Sequence, residues 1–311
     1  MQQTRVEAVK GYFHRFISRF PDIESLAEAR EEEVLKLWEG LGYYSRARNL
    51  HKGAQVIVGK FGGEIPKTYE EIRSIPGIGD YTAAAISSIV YSKKIPAIDG
   101  NLLRIFARCN QYDRDILARE AKLSAFQYFQ ERMEDEAVGD FNEALMDLGA
   151  TICVPKGKIA CEVCPLSSFC KSSKEGNPEN YPVKKEKKAR KVEKYSIFLI
   201  RQGKKLVLTK RPNKGVLAGL YSFYQKEGHL TKKEALEEVE RLGFTPLKLK
   251  ELGSAKHIFT HKEWEMIGYE VDCGEFPLPT GVSEGVELYS KEEIESDLSM
   301  PSAYAYYKAF L

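Results

Sequence analysis

Long apolar runs are missing from this 311-residue sequence: no stretch of eighteen or more apolar residues occurs, so no membrane-spanning helix is expected. The opening MQQTRVEAVKGYFHRF lacks an apolar segment of the kind a secretory signal needs, and a cytoplasmic location is the expectation. Excess charge of one sign is missing too. Lysine and arginine total 47 and the acids 45, a net +2, which excludes a uniformly basic protein but leaves room for a basic face. Histidine is scarce at five residues, and His14, His51, His229 and His257 belong to no constellation. What is present reads as soluble and globular, with 43% hydrophobic and 30% charged residues and length enough for two domains. Seven cations crowd one short stretch, Lys184, Lys185, Lys187, Lys188, Arg190, Lys191 and Lys194, as a solvated linker or a phosphate contact.

Periodicity divides the chain. SLAEAREEEVLKLWEGLG places Leu26, Val34, Leu37, Trp38 and Leu41 near a 3.6-residue period and predicts a helix. DYTAAAISSIVY and GDFNEALMDLGATI read as two more, the first with an aspartate at its N-cap or first turn. Strand patterns are scarce before about residue 190. SSKEGNPENYPVKKEKKARK suits a linker. KYSIFLI and KLVLTKR then predict a hairpin, KKEALEEVERLGF an amphipathic helix, and KHIFTH and EWEMIGYEVD further strands. The expected fold is therefore two-domain: a helical domain over 1–171, a linker over 172–194, and a smaller α/β domain over 195–311.

Four of the six cysteines, Cys153, Cys161, Cys164 and Cys170, fall within eighteen residues as C-x7-C-x2-C-x5-C, and Cys109 and Cys273 stand alone as ordinary buried thiols. Such clustering favours a metal site over disulfides. Four thiolates bind one zinc ion or one iron–sulfur cluster. Zinc ribbons usually pair two C-x2-C knuckles, and only one is present, so a 4Fe–4S cluster is favoured and zinc is the alternative.

SIPGIGDYTAAAI resembles a helix–hairpin–helix element, in which Gly77 and Gly79 let the backbone bend and approach a ligand. Its amides and the following helix N-terminus suit a DNA phosphate, although an αα-corner packed through glycine is the bland reading. IPAIDGNLLRIFAR follows, with Asp99 ahead of a helix, where it would serve as a cap if it stood alone. Hairpin, aspartate and four cysteines, in that order, resemble the endonuclease III-like glycosylase superfamily over residues 1–171.

Further strings resemble the MutY-type adenine DNA glycosylases: QQTRV, WEGLGYYSRARNL, and KRPNKGVLAGLYSF with HIFTHKEW in a C-terminal part similar to MutT (nudix) proteins. The nudix catalytic pattern is absent from that part, so nucleotide hydrolysis is not expected there. The resemblance implies excision of adenine opposite 8-oxoguanine or guanine in double-stranded DNA by a monomer of base excision repair. It implies Asp99 against the sugar cation, Asn101 orienting it, and Tyr81 beside the sugar. Lyase-type members carry at that last position a lysine whose amine forms a Schiff base, so the chain is expected to be monofunctional. It implies DNA contacts by Gln3, Thr4, Leu41, Tyr43, Gly77 and Gly79. It implies 8-oxoguanine recognition by Phe259, Thr260 and His261, where the family usually has Phe-Ser-His. And it implies a 4Fe–4S cluster on the four cysteines, whose first gap is seven residues where the family usually has six. The family's opening segment, with its Trp-Arg motif and the glutamate that protonates adenine just before Gln-Gln-Thr, has no match here. Glu7 lies on the wrong side of that motif. Met1 stands where the family has leucine, as if a leucine codon were read as a start, and the chain as written is expected to cut poorly. A non-catalytic lesion-binding protein and a redox-responsive iron–sulfur DNA-binding regulator are the alternatives from another class. A pyrimidine glycosylase and lyase is disfavoured by Tyr81 and by the C-terminal domain.

Overall fold

The computed structural model describes residues 6–185, 189–274 and 285–311, with side chains from residue 9 onward. No helix among them is long and apolar enough to cross a membrane. The helices of the first half are α1 (Val6–Arg19), α2 (Ile23–Glu28), α3 (Glu31–Leu37), α4 (Ser45–Phe61), α5 (Tyr69–Ser74), α6 (Asp80–Ile89), α7 (Gly100–Asn110), α8 (Arg119–Gln130), α9 (Val138–Thr151) and α10 (Lys171–Lys174). The second half adds β1 (Lys191–Gln202), β2 (Lys205–Lys210), β3 (Tyr221–Glu227), α11 (Lys232–Arg241), β4 (Lys248–Ile258), β5 (Lys262–Asp272), β6 (Val286–Ser290), α12 (Lys291–Ser296) and α13 (Ala305–Lys308). An all-α part followed by an α/β part is the expected class.

By contact the chain forms two compact units that cut across that order: Lys52–Lys187, and Met1–His51 together with Lys188–Leu311. In the discontinuous unit the sheet runs β4-β5-β1-β3-β2-β6, with β1 and β5 parallel and the other neighbours antiparallel. The central strand β1 is buried on both faces, which is why SIFLI reads as an unbroken apolar run. Phe198 and Ile200 meet Ala235, Val239 and Leu242 of α11 on one face. Ile197 and Leu199 meet Ile294, Tyr304 and Tyr307 from the C-terminal helices on the other. α11 opens on a capping box in which Thr231 and Glu234 satisfy each other's amides.

The expected β1–β2 hairpin is pinned only at Arg201–Leu206 and Gln202–Lys205. β3 pairs with that edge of β1 from Tyr195 to Phe198. The first helical segment is also corrected. SLAEAREEEVLKLW is two helices broken at Ala29 and Arg30, both extended, with Asp22 capping the first and Glu31, Glu32 and Glu33 filling the first turn of the second. These helices join the sheet's C-terminal cover through polar contacts. Lys36 Nζ donates to Leu298 O at 2.9 Å, Lys308 Nζ to Glu39 Oε1 at 2.9 Å, and the Met300 amide to Glu39 Oε1 at 3.3 Å.

The unit Lys52–Lys187 is built round α7, whose residues Leu102 to Cys109 are all buried. α8 and α9 supply Ala125, Phe129, Leu145 and Leu148 to its core. The segment expected as a linker is partly folded. Ser172 Oγ donates to Arg108 O at 2.7 Å, the Ile116 amide donates to Val183 O at 3.0 Å, and β1 begins at Lys191 rather than 195. Arg108 explains the folding-back, because its buried Nε donates to the carbonyls of Pro178 and Tyr181 at 2.9 and 3.1 Å.

Candidate active site

Asp99 is the N-cap of α7. Its Oδ1 accepts the amides of Asn101 and Leu102, each at 2.8 Å, and its Oδ2 accepts Asn101 Nδ2 at 3.0 Å. The amides that open the helix therefore also fix the carboxylate. The residue is half-buried. Tyr81, in the first turn of α6, is close enough to feel it: burial first, and then the negative charge of Asp99, push the phenol upward. Tyr81 Oη donates to Met146 Sδ at 3.3 Å.

Behind the carboxylate stands Arg104, unsuspected from the sequence. Its Nη2 donates to Asn101 Oδ1 at 2.8 Å and Gly149 O at 2.7 Å, and its Nε to Cys153 O at 2.7 Å. Asn101 is therefore held from both ends, by Asp99 and by Arg104. Gly149 lets it fit: a Cβ there would lie 2.5 Å from Asn101 Cβ, closer than real atoms come. The available signal was two arginines four residues apart inside the apolar run LLRIFARC.

The hairpin joins α5 to α6. Gly77 has φ +85°, and Gly79 caps α6 without a side-chain bond. A Cβ on Gly79 would meet nothing within 4 Å, leaving open space in front of the helix amides. Asp80 lies in the first turn and pairs with Arg73, whose Nη1 also donates to Ile78 O at 3.1 Å.

Leu41 and Tyr43 line a cleft of about 500 Å³ with Phe259, Thr260 and His261, inside one compact unit. Tyr43 Oη lies 3.4 Å from Thr260 Oγ1, although the two residues are 217 positions apart in the chain. KHIFTH is not all strand. β4 ends at Ile258, and Phe259 to His261 form the turn into β5, closed by the Phe259 amide donating to Lys262 O at 2.8 Å. Phe259 packs edge-on against Trp264 and His257, while Thr260 and His261 are exposed. Arg48 forms another wall by donating to Ala218 O, beside Leu217 at φ +57°. Gln3 and Thr4 lie outside the described residues.

Cys153, Cys161, Cys164 and Cys170 line one cavity, and Cys109 of α7 joins them. Arg108 Nη1 donates to Cys153 Sγ at 3.1 Å. The Cys109 thiol donates to Cys170, which pulls the Cys170 thiol down and pushes its own up. Burial raises Cys161 and Cys164. Among the described residues no three histidine, cysteine or acidic side chains gather tightly enough to hold a metal ion.

Residues 1–130 match the family described as HhH-GPD superfamily base excision DNA repair protein, and residues 196–308 match the NUDIX domain. The adenine DNA glycosylase of Homo sapiens is 31% identical, over 95% of this chain and 64% of that protein. That of Buchnera aphidicola subsp. Baizongia pistaciae is 35% identical, over 84% of this chain and 73% of that protein. A solved thermostable thymine-DNA glycosylase aligns over 54% of this chain and 76% of its own, at 27% identity and a TM-score of 0.48. Helical glycosylase part and nudix-like sheet together define a base-excision repair fold of the helix–hairpin–helix class. The chain belongs to the adenine DNA glycosylase family. It spans 64% of the human relative and 60% of the rat one.

Proposed function

We propose that this chain is a monofunctional glycosylase that removes adenine from mispairs with 8-oxoguanine or guanine in double-stranded DNA. One observation supports the reading above the rest: a half-buried carboxylate, Asp99, fixed by two helix amides and Asn101, with a phenol rather than an amine beside it.

The target adenine has to leave the stack, which is least costly at a mismatch. Rupture of the N-glycosidic bond leaves positive charge on the sugar, which a fixed carboxylate opposes. Water then takes the sugar carbon, since Tyr81 has no amine for a Schiff base. The start of α6, which has no side-chain cap, suits a DNA phosphate, and the glycine ahead of it leaves room for its approach.

All four cysteines line one cavity beside α7, a set of thiols that suits an iron–sulfur cluster or a zinc ion. The single C-x2-C knuckle supports the 4Fe–4S cluster over zinc. When bound, the cluster supplies a one-electron couple and ties the loop to α7, while Arg104 and Arg108 hold the backbone and sulfur of Cys153.

Product analysis tests the reading. Duplex DNA with adenine opposite 8-oxoguanine is expected to lose free adenine and to break at the abasic site only after alkali, with no borohydride-trapped protein–DNA complex. Strand cleavage without alkali, or a trapped complex, would overturn the monofunctional assignment, and no adenine release in single turnover would leave a lesion binder.

Recognition of the oxidised base is assigned to the exposed Thr260 and His261. Replacing both with alanine is expected to cut the preference for 8-oxoguanine over guanine by roughly 5–10-fold, the worth of one or two hydrogen bonds. The readout is the ratio of single-turnover rates on the two duplexes. Phe259 is left in place because its ring anchors the turn on Trp264. An unchanged ratio would remove this role from the turn.

A further inference from the structure

The turn over 259–261 leads into β5, and one carboxylate gathers the first residues of β5 and of its parallel neighbour β1. Their register sets Lys191 across from Lys262 and Glu193 across from Trp264. Two lysines facing each other across a strand pair repel. Glu193 answers both. Its Oε1 accepts Lys262 Nζ at 2.9 Å and pairs with Lys191 Nζ at 3.3 Å. Its Oε2 accepts Lys262 Nζ and the Trp264 indole Nε1, each at 3.0 Å, and Tyr195 Oη at 3.3 Å. The side chain is 10% exposed. The Lys262 ammonium above all, with Trp264 and Lys191, holds the carboxyl down at about 2 against the effect of burial, so it is charged at neutral pH. Three of these partners lead to the turn. Trp264, itself buried, carries the Phe259 ring at 4.8 Å, and Lys262 O accepts the Phe259 amide at 2.8 Å. The Lys191 amide donates to His261 O at 3.4 Å.

We propose that Glu193 is a positioning residue for lesion recognition, which neutralises Lys191 and Lys262, orients Trp264, and so fixes the turn that presents Thr260 and His261. The inference rests on the assignment of the oxidised base to those two side chains. Loss of the charge alone leaves two ammonium groups opposed beside the turn. Loss of the whole side chain also strands the indole N–H. A matched comparison exists in the same strand pair, because Arg201 Nε on β1 donates to Glu270 Oε1 on β5 at 2.6 Å, at the end remote from the turn.

The test reads binding rather than excision. Two duplexes carry 2′-fluoro-2′-deoxyadenosine, which resists glycosidic cleavage, opposite 8-oxoguanine or guanine. Fluorescence anisotropy gives the ratio of the two Kd values, beside the urea midpoint, for the full chain and for its Glu193→Gln, Glu193→Ala, Glu270→Gln and doubly substituted Thr260→Ala, His261→Ala variants. Glu193→Gln, which keeps an acceptor for the indole, is expected to cut the preference for 8-oxoguanine roughly threefold, and Glu193→Ala roughly 5–10-fold. Both should bind the guanine duplex as the parent does. Glu270→Gln should lower the midpoint and leave the ratio alone. The isosteric glutamine variant carries the test should the alanine variant fail to fold. A parental ratio in the Glu193 variants would overturn the proposal. An equal loss in Glu270→Gln would also overturn it, by tracing the effect to general loosening of the sheet. A double variant that keeps the parental ratio would remove the role of the turn itself. Loss there, with none in the Glu193 variants, would remove only this inference.

Discussion

Asp99→Asn is expected to lower single-turnover excision of adenine opposite 8-oxoguanine by about 10²–10³-fold, the scale of losing one fixed electrostatic partner of a developing charge. The fold should survive, because asparagine caps helices as well as aspartate does and its carbonyl can accept the same two amides. The remaining position changes sign. Asn101 Nδ2 now donates to Asp99 Oδ2, and in the variant one amide NH₂ would face another. Asn101 cannot simply turn over, since its Oδ1 is held by Arg104. A stability loss of about 1 kcal/mol follows from one unmade hydrogen bond. Excision rate and urea midpoint measured together separate the two effects. A variant that excises at the parental rate would end the assignment of Asp99 and leave a DNA-binding protein with a helix cap.

Arg104→Met should have the largest effect on stability. The buried guanidinium serves Asn101 Oδ1 and the carbonyls of Gly149 and Cys153. Methionine keeps much of the stem and leaves these acceptors facing an apolar group. At about 1–3 kcal/mol for each buried group left unpaired, the expected loss is roughly 3 kcal/mol or more. Release of Asn101 should also slow excision in the molecules that remain folded. Denaturant unfolding checks the first effect and single-turnover kinetics the second. An unchanged unfolding midpoint would show that water replaces the guanidinium at no cost.

Much of this was legible because it is local. The apolar run of β1, the amphipathic period of α11 and the glycine turn ahead of α6 are short-range patterns that the chain obeys. Asp99 was legible as a cap from its own neighbours, and as more than a cap only from the company of the hairpin and the cysteines. The failures are of two kinds. SLAEAREEEVLKLW kept a helical period through a break, because hydrophobic spacing does not register the extended pair Ala29 and Arg30. Arg104 and Gly149 were missed because their roles exist only after folding, when α7, α9 and the cysteine loop come together. An arginine in an apolar helix hinted at a buried partner without naming it. The meeting of Tyr43 with Thr260 had no local signal at all.

The discontinuous unit has a consequence for ancestry. Because Lys36 and Glu39 close against the C-terminal segment that covers the sheet, the two matched families do not correspond to two pieces that can be traded freely. A recombination event that imported a new C-terminal part would strand Lys36 and Glu39 opposite foreign surfaces unless it replaced the opening helices too. Inheritance of this architecture is therefore expected to be all or nothing, with its first and last segments drifting in step.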